Sequence, residues 1–198
     1  MKKRLRVLYY QINVSLCERR TKPFFKMQIN SVLKYFLYLI LMVLFACSTA
    51  QEKTFFPEKS LKDTLLTFDG VEKTVEEVLS QYKGKIVVLD IWASWCGDCI
   101  AGLPKVKELQ QTYGKDIAYV FFSLDRTPTS WKKGIARFGI EGAHYFIPSG
   151  RKSDFCSAVS VDWIPRYMVL DKEGKILLYK AIKATDVRME ALLKKASN

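Results

Sequence analysis

The stretch Asp90-Ile91-Trp92-Ala93-Ser94-Trp95-Cys96-Gly97-Asp98-Cys99 decides how this chain folds. An apolar run from Ile86 to Trp92 leads straight into a Cys-x-x-Cys, after which Ile100, Leu103, Val106 and Leu109 recur at roughly helical spacing. The two cysteines are therefore expected where a buried strand turns into a helix. The first turn of a helix carries unpaired N–H groups and the positive end of the dipole. A cysteine placed there has a lowered pKa and is more often thiolate, the form that attacks disulfides. Cys99 lies one turn on and on the same face, so it can reach back and close a disulfide. Gly97 between them lets the backbone turn tightly.

Asp90 stands six residues before Cys96 in a strand of Ile, Val and Leu. A carboxylate buried in such a strand is costly unless it has a task or a partner. Burial raises its pKa toward the range of general acid/base work. The plainer alternative is an edge position beside a basic neighbour. Asp98 adds charge between the cysteines. It suits a helix N-terminus but opposes the dipole at Cys96, and a higher thiol pKa favours a reductant over an oxidant. A zinc site usually brings a second Cys pair or a His pair. Only Cys156 and the single histidine, His144, are left to supply one. Cys156 reads as a buried apolar residue and His144 as structural.

With 198 residues and 49% hydrophobic content, the chain can bury one ordinary core. Its formal charge of +12 is unevenly spread: residues 1–26 contribute +7, and everything from Cys47 onward only +4. The domain itself is mildly basic, which argues against nucleic-acid binding. Five cysteines are too few for a disulfide scaffold at this length.

Residues 1–26 form a basic extension with no periodic core pattern; either Met27 is the start of the chain or this is a long n-region before a signal sequence. Cys17 has no assigned role. From Tyr35 to Ala46 the chain is continuously apolar or aromatic, which fits a signal h-region better than a span of ~20 residues. Residues 27–50 thus read as a signal peptide with two processing routes. Leu44-Phe45-Ala46-Cys47 resembles a lipobox, with Cys47 lipidated; Ser48-Thr49-Ala50 offers ordinary cleavage before Gln51. Either route places the domain outside the cytoplasmic membrane, in a compartment where disulfides persist.

Residues 51–60 read as a polar linker and 61–198 as the domain. Leu65 to Lys73 reads as a hairpin turning at Asp69-Gly70. Thr74-Val75-Glu76-Glu77 is a capping box for a short helix through Leu79. Pro104 interrupts the helix after Cys99, at a cost of about 3 kcal/mol or a kink. Ile117 to Ser123 is a strand buried on both faces. Asp125 to Thr129 is a loop at its carboxyl end, and helices are expected over Trp131–Phe138 and Ser153–Val159. Tyr167–Leu170 and Lys175–Tyr179 make a hairpin, and Thr185 is expected to cap a last helix with Met189, Leu192, Leu193 and Ala196 inward.

The segment Trp92-Ala93-Ser94-Trp95-Cys96-Gly97-Asp98-Cys99, with its preceding strand and the distant Trp163-Ile164-Pro165, resembles the active site of thioredoxin-fold proteins, in particular the envelope-anchored thiol–disulfide oxidoreductases of the TlpA and ResA type. The resemblance begins near Leu61. It implies an α/β thioredoxin-like fold, a central mixed sheet flanked by helices, with an N-terminal hairpin and helix extension. It also makes Pro104 a family feature. By the resemblance Cys96 is the nucleophile, Cys99 the resolving cysteine and Asp90 the proton shuttle. Pro165 is the cis-proline, and the backbone of Ile164 would pair with an extended substrate. Trp95 would dock apolar substrate at the rim while Trp92 packs in the core. Arg166, where thioredoxins usually have Thr, adds charge to the rim or is solvated. TlpA and ResA types more often carry Asn at the position of Asp90, with a glutamate three residues after the second cysteine, where this chain has Gly102. The implied partners are disulfide-bearing proteins, apocytochrome c among them, and a membrane electron donor of DsbD or CcdA type. A monomer without bound cofactor or metal is expected. A peroxiredoxin-like peroxidase, which would want Pro-x-x-x-Thr-x-x-Cys, and a non-catalytic binding lipoprotein are the alternatives.

Overall fold

The computed structural model describes residues 34–36, 38–39, 53–114 and 117–197. The chain divides into two units, Met1–Ala50 and Gln51–Asn198. The expectations for residues 1–26, for the cleavage sites and for Cys47 lie outside the described residues. Among those described, no helix is long and apolar enough to cross a membrane.

The second unit is built on one seven-stranded mixed sheet. In chain order its elements are α1 (Glu58–Leu61), β1 (Thr64–Leu66), β2 (Glu72–Thr74), α2 (Val75–Ser80), β3 (Ile86–Trp92), α3 (Gly97–Tyr113), β4 (Ile117–Ser123), α4 (Pro128–Phe138), β5 (Ala143–Phe146), α5 (Asp154–Ala158), β6 (Arg166–Leu170), β7 (Ile176–Ala181) and α6 (Val187–Ala196). The strand order is β2-β1-β5-β4-β3-β6-β7. β3 is parallel to β4 and antiparallel to β6. It is also buried over all seven residues, which is why it reads as a continuous apolar run.

Side chains alternate across the sheet. Register pairs Asp90 with Phe121 and Ile91 with Phe122. Phe122 meets Phe155 of α5, ring centroids 5.2 Å apart, and Phe155 in turn meets Phe56 at 5.6 Å. On the opposite face Phe121 stacks on His144 at 4.9 Å. Packing begins before the expected domain start at Leu61: Thr54 accepts a backbone hydrogen bond from Ile176, and Lys59 pairs with Asp154 at 2.8 Å.

Most expected elements are present, with shifts that have local causes. The capping box at Thr74 forms, with the Glu77 amide donating to Thr74 Oγ1 at 3.1 Å. The N-terminal hairpin has shorter strands than expected and a wider loop, residues 67–71, closed by the Thr67 amide donating to the Val71 carbonyl at 2.8 Å. α3 runs through Pro104. Its buried stripe is Cys99, Leu103, Val106 and Leu109, so Cys99 takes the inward place expected of Ile100. Asp186, not Thr185, caps α6, accepting from the Arg188 amide at 2.9 Å. β5 was not expected. Its four residues lie between Gly142 and Pro148, and His144 breaks the apolar run.

Candidate active site

Cys96 is the N-cap of α3, and Cys99 lies in its first turn. The two are joined in a disulfide with Cα atoms 5.3 Å apart. Cys96 Sγ accepts the Cys99 amide at 3.1 Å, so a helix-terminal N–H points at the sulfur that would carry negative charge. Both cysteines are nearly buried, Cys96 slightly the more open at 7% against 2%. Asp98, beside them, is exposed.

The loop entering the helix is clamped by Asp125, two residues beyond the end of β4, in a loop to which the sequence assigns no side-chain role. Asp125 is buried and accepts the Ser94 hydroxyl at 2.6 Å, the Ser94 amide at 3.1 Å and the Ser123 hydroxyl at 2.8 Å. Gly134 of α4 makes room for this loop, since a Cβ there would lie 2.4 Å from Ser94 Cβ. The sequence signal was an acidic residue just beyond a strand beside the active-site helix, a position that faces the rim in such sheets.

On the other side stands the Ile164–Pro165 peptide, which is cis. The Ile164 carbonyl lies 3.6 Å from Cys96 Sγ. Trp95 projects at the rim, 58% exposed, while Trp92 is core. Trp163, quoted in the sequence motif but given no role there, is equally exposed and directly precedes Ile164. Trp95 and Trp163 flank Cys96 in a groove of about 250 Å³.

Arg166 corrects an expectation. It is neither at the rim nor solvated but fully buried. Its guanidinium donates to the carbonyls of Val159 and Ser160, both at 2.9 Å, and to the Asp162 carboxylate. The fork geometry of Arg suits three acceptors on one turn, and it ties down the loop that presents the cis-proline. Lys180 and the Arg166 guanidinium hold the Asp162 carboxyl down at about 2.

Asp90 is buried where expected, and desolvation pushes its pKa well above the carboxylate range. Cys156 is buried and burial pushes its thiol up to about 11, which leaves it inert toward disulfides. His144 Nε2 donates to the Ile140 carbonyl, 3.0 Å away, and burial lowers its pKa.

A thioredoxin-like family model matches residues 84–176, from the turn before β3 to the start of β7. The chain is 29% identical over 102 residues to the thiol-disulfide oxidoreductase ResA of Geobacillus kaustophilus, covering 51% of this chain and 57% of that one. It is 28% identical over 118 residues to ResA of Bacillus anthracis, covering 59% and 66%. The chain thus spans under two thirds of the length of these curated relatives. Among solved structures, a Bacteroides vulgatus protein provisionally assigned as a thiol-disulfide oxidoreductase is 29% identical, with a TM-score of 0.57 over 67% of this chain and 84% of that one. The thioredoxin domain of another B. vulgatus thiol-disulfide oxidoreductase has a TM-score of 0.60 at 21% identity, covering 76% and 100%, and shows likeness of fold alone. Helix-capping disulfide, cis-proline loop, sheet order and matched sequence agree on a thioredoxin-like fold whose site is similar to that of the ResA thiol-disulfide oxidoreductases.

Proposed function

We propose that the protein is a thiol–disulfide oxidoreductase of the cell envelope that reduces protein disulfides through Cys96-Gly97-Asp98-Cys99. The observation that carries this reading is Cys96 at the N-cap of α3, its sulfur accepting a helix N–H and facing the Ile164 carbonyl beside a cis-proline. In the reducing direction, the Cys96 thiolate attacks one sulfur of a substrate disulfide. A mixed disulfide forms, and the other substrate sulfur leaves as a thiolate. Cys99 gives its proton to Asp90 and attacks Cys96 Sγ, forming the Cys96–Cys99 bond and releasing the second substrate sulfur. Two electrons pass from the cysteine pair to the substrate, and a donor must restore them. An extended substrate segment would hydrogen-bond the Ile164 backbone and rest apolar side chains against Trp95 and Trp163.

The envelope location rests on the signal-like stretch before Cys47, and lipidation of Cys47 is the anchor that the Leu-x-Ala-Cys pattern favours. A DsbD- or CcdA-type membrane donor and apocytochrome c as one client follow from the family likeness. The test is reduction of a disulfide-bonded protein with dithiothreitol as electron source. Turnover that Cys96→Ala abolishes supports the reading; turnover unchanged by that substitution refutes it. Mass spectrometry of the mature N-terminus separates a lipid-modified Cys47 from cleavage before Gln51.

A further inference from the structure

Two buried polar groups share one face of the sheet, and the thiol chemistry above uses only one of them. Asp90 in β3 and Tyr167 in β6 are direct partners in register, so their side chains leave the sheet on the same side. That side lies under α3. A Cβ added at Gly102, one turn beyond Cys99, would sit 2.9 Å from the Tyr167 hydroxyl and 3.6 Å from Ala184 Cβ. The absence of a side chain at position 102 is what leaves space for the phenol against this helix. Tyr167 is 1% exposed and Asp90 3%. Among the described residues, neither the Tyr167 hydroxyl nor Asp90 Oδ1 has a hydrogen-bond partner. A donor and an acceptor, paired across two strands and both orphaned, are each costly unless they serve one another.

We propose that Tyr167 is a positioning residue for the resolving step: its O–H, directly or through one bridging water, stabilises the Asp90 carboxylate that takes the Cys99 proton. The inference rests on the oxidoreductase reading. The proton moves from Cys99 Sγ to Asp90, and the sulfur electron pair forms the Cys99–Cys96 bond as the Cys96–substrate bond breaks. Tyr167 gains and loses nothing. Its phenol stays protonated because burial, and then the Asp90 charge, push its ionisation far above the usual tyrosine range. Among the described residues, other titratable groups on this side include Cys99, Asp98 and Lys105 of α3, Lys183 before α6 and Glu190 in it, and Tyr119 and His144 of the sheet. Lys105 is already held by Glu108 at 2.7 Å and Glu190 at 3.2 Å. His144 is spent on the Ile140 carbonyl.

The test follows one turnover in stopped flow. Reduced protein is mixed with bis(thionitrobenzoate) disulfide; the first thionitrobenzoate released reports Cys96, and the second reports displacement by Cys99. The second phase is identified by its loss in Cys99→Ser. Tyr167→Phe is expected to slow the second release about tenfold at pH 7, the order expected for one hydrogen bond to a charge, and to leave the first unchanged. The difference should close as pH rises and Asp90 ionises in both proteins. In an Asp90→Asn background Tyr167→Phe should have no further effect. Gly102→Ala, which crowds the hydroxyl from the helix side, should slow the same phase with the same pH signature. An unchanged second phase overturns the inference. So does a slowing that is equal at every pH and persists in Asp90→Asn, since that is a packing effect. Absence of a second release in the native protein instead defeats the oxidoreductase reading itself.

Discussion

Asp90 lies buried in β3 beneath the helix, and Asp98 stands exposed at the helix start between the two cysteines. The buried Asp90 binds its proton more tightly in the folded chain than in the unfolded one. Folding stability therefore falls as pH rises from the unfolded carboxylate range near ~3.9 toward the raised folded value, and stays low above it. Asp90→Asn should stabilise the protein by about 1–3 kcal/mol at pH 7 and by little below pH ~4, read by thermal melts across pH. The same substitution should slow the second half of turnover. Cys99→Ala should accumulate mixed disulfides with substrate, visible as Cys96-dependent adducts on non-reducing gels; a purely structural disulfide would instead give lower stability and no adducts. Asp90 was legible in sequence because charge in an apolar strand stands out. Arg166 was not. Its acceptors are two carbonyls and a carboxylate on the turn from Val159 to Asp162, and only the folded loop brings them to one point.

Two loops hold the disulfide, and each is fixed by one buried charged side chain reaching across the fold. Asp125 holds the Ala93–Trp95 entrance, and Arg166 holds the turn before cis-Pro165. Asp125→Ala would leave the Ser94 amide and two hydroxyls without their acceptor, at a cost of about 2–4 kcal/mol. Denaturant melts check the magnitude. An equal loss of catalytic rate constant without a change in substrate KM would show that the clamp sets the Cys96 geometry. Arg166→Gln should cost a similar ~2–4 kcal/mol and, on the proposed docking of substrate at the cis-proline loop, raise KM for protein substrates. Elements with a strong local pattern were readable: β3 and β4 occupy the residues expected, and the Thr74 capping box forms. β5 was not, since four residues broken by a histidine carry too short a signal, and its pairing with β4 is a long-range event.

The second unit is a sheet whose central strand delivers the cysteines to the N-terminus of a helix. The place of the cysteines at a strand-to-helix junction could be read from residues 86–109. The strand order, and with it the meeting of Cys96 with Ile164, rested on resemblance, because nothing local to either segment specifies a partner 68 residues away. The exposed tryptophan pair belongs to this scale also. Trp163→Ala should weaken protein substrates about tenfold in KM while leaving the reaction with small disulfides such as oxidised glutathione near native, since only an extended chain spans the groove.

The reduction potential of the Cys96–Cys99 pair, measured by equilibration with glutathione or dithiothreitol buffers, tests the central claim most directly. The account predicts a reversible couple near thioredoxin's value of about −270 mV, as befits a reductase with Asp98 beside its thiolate. A value near about −120 mV would make the protein an oxidant, and a disulfide resistant to reduction at any accessible buffer potential would make it a structural staple; either contradicts the account.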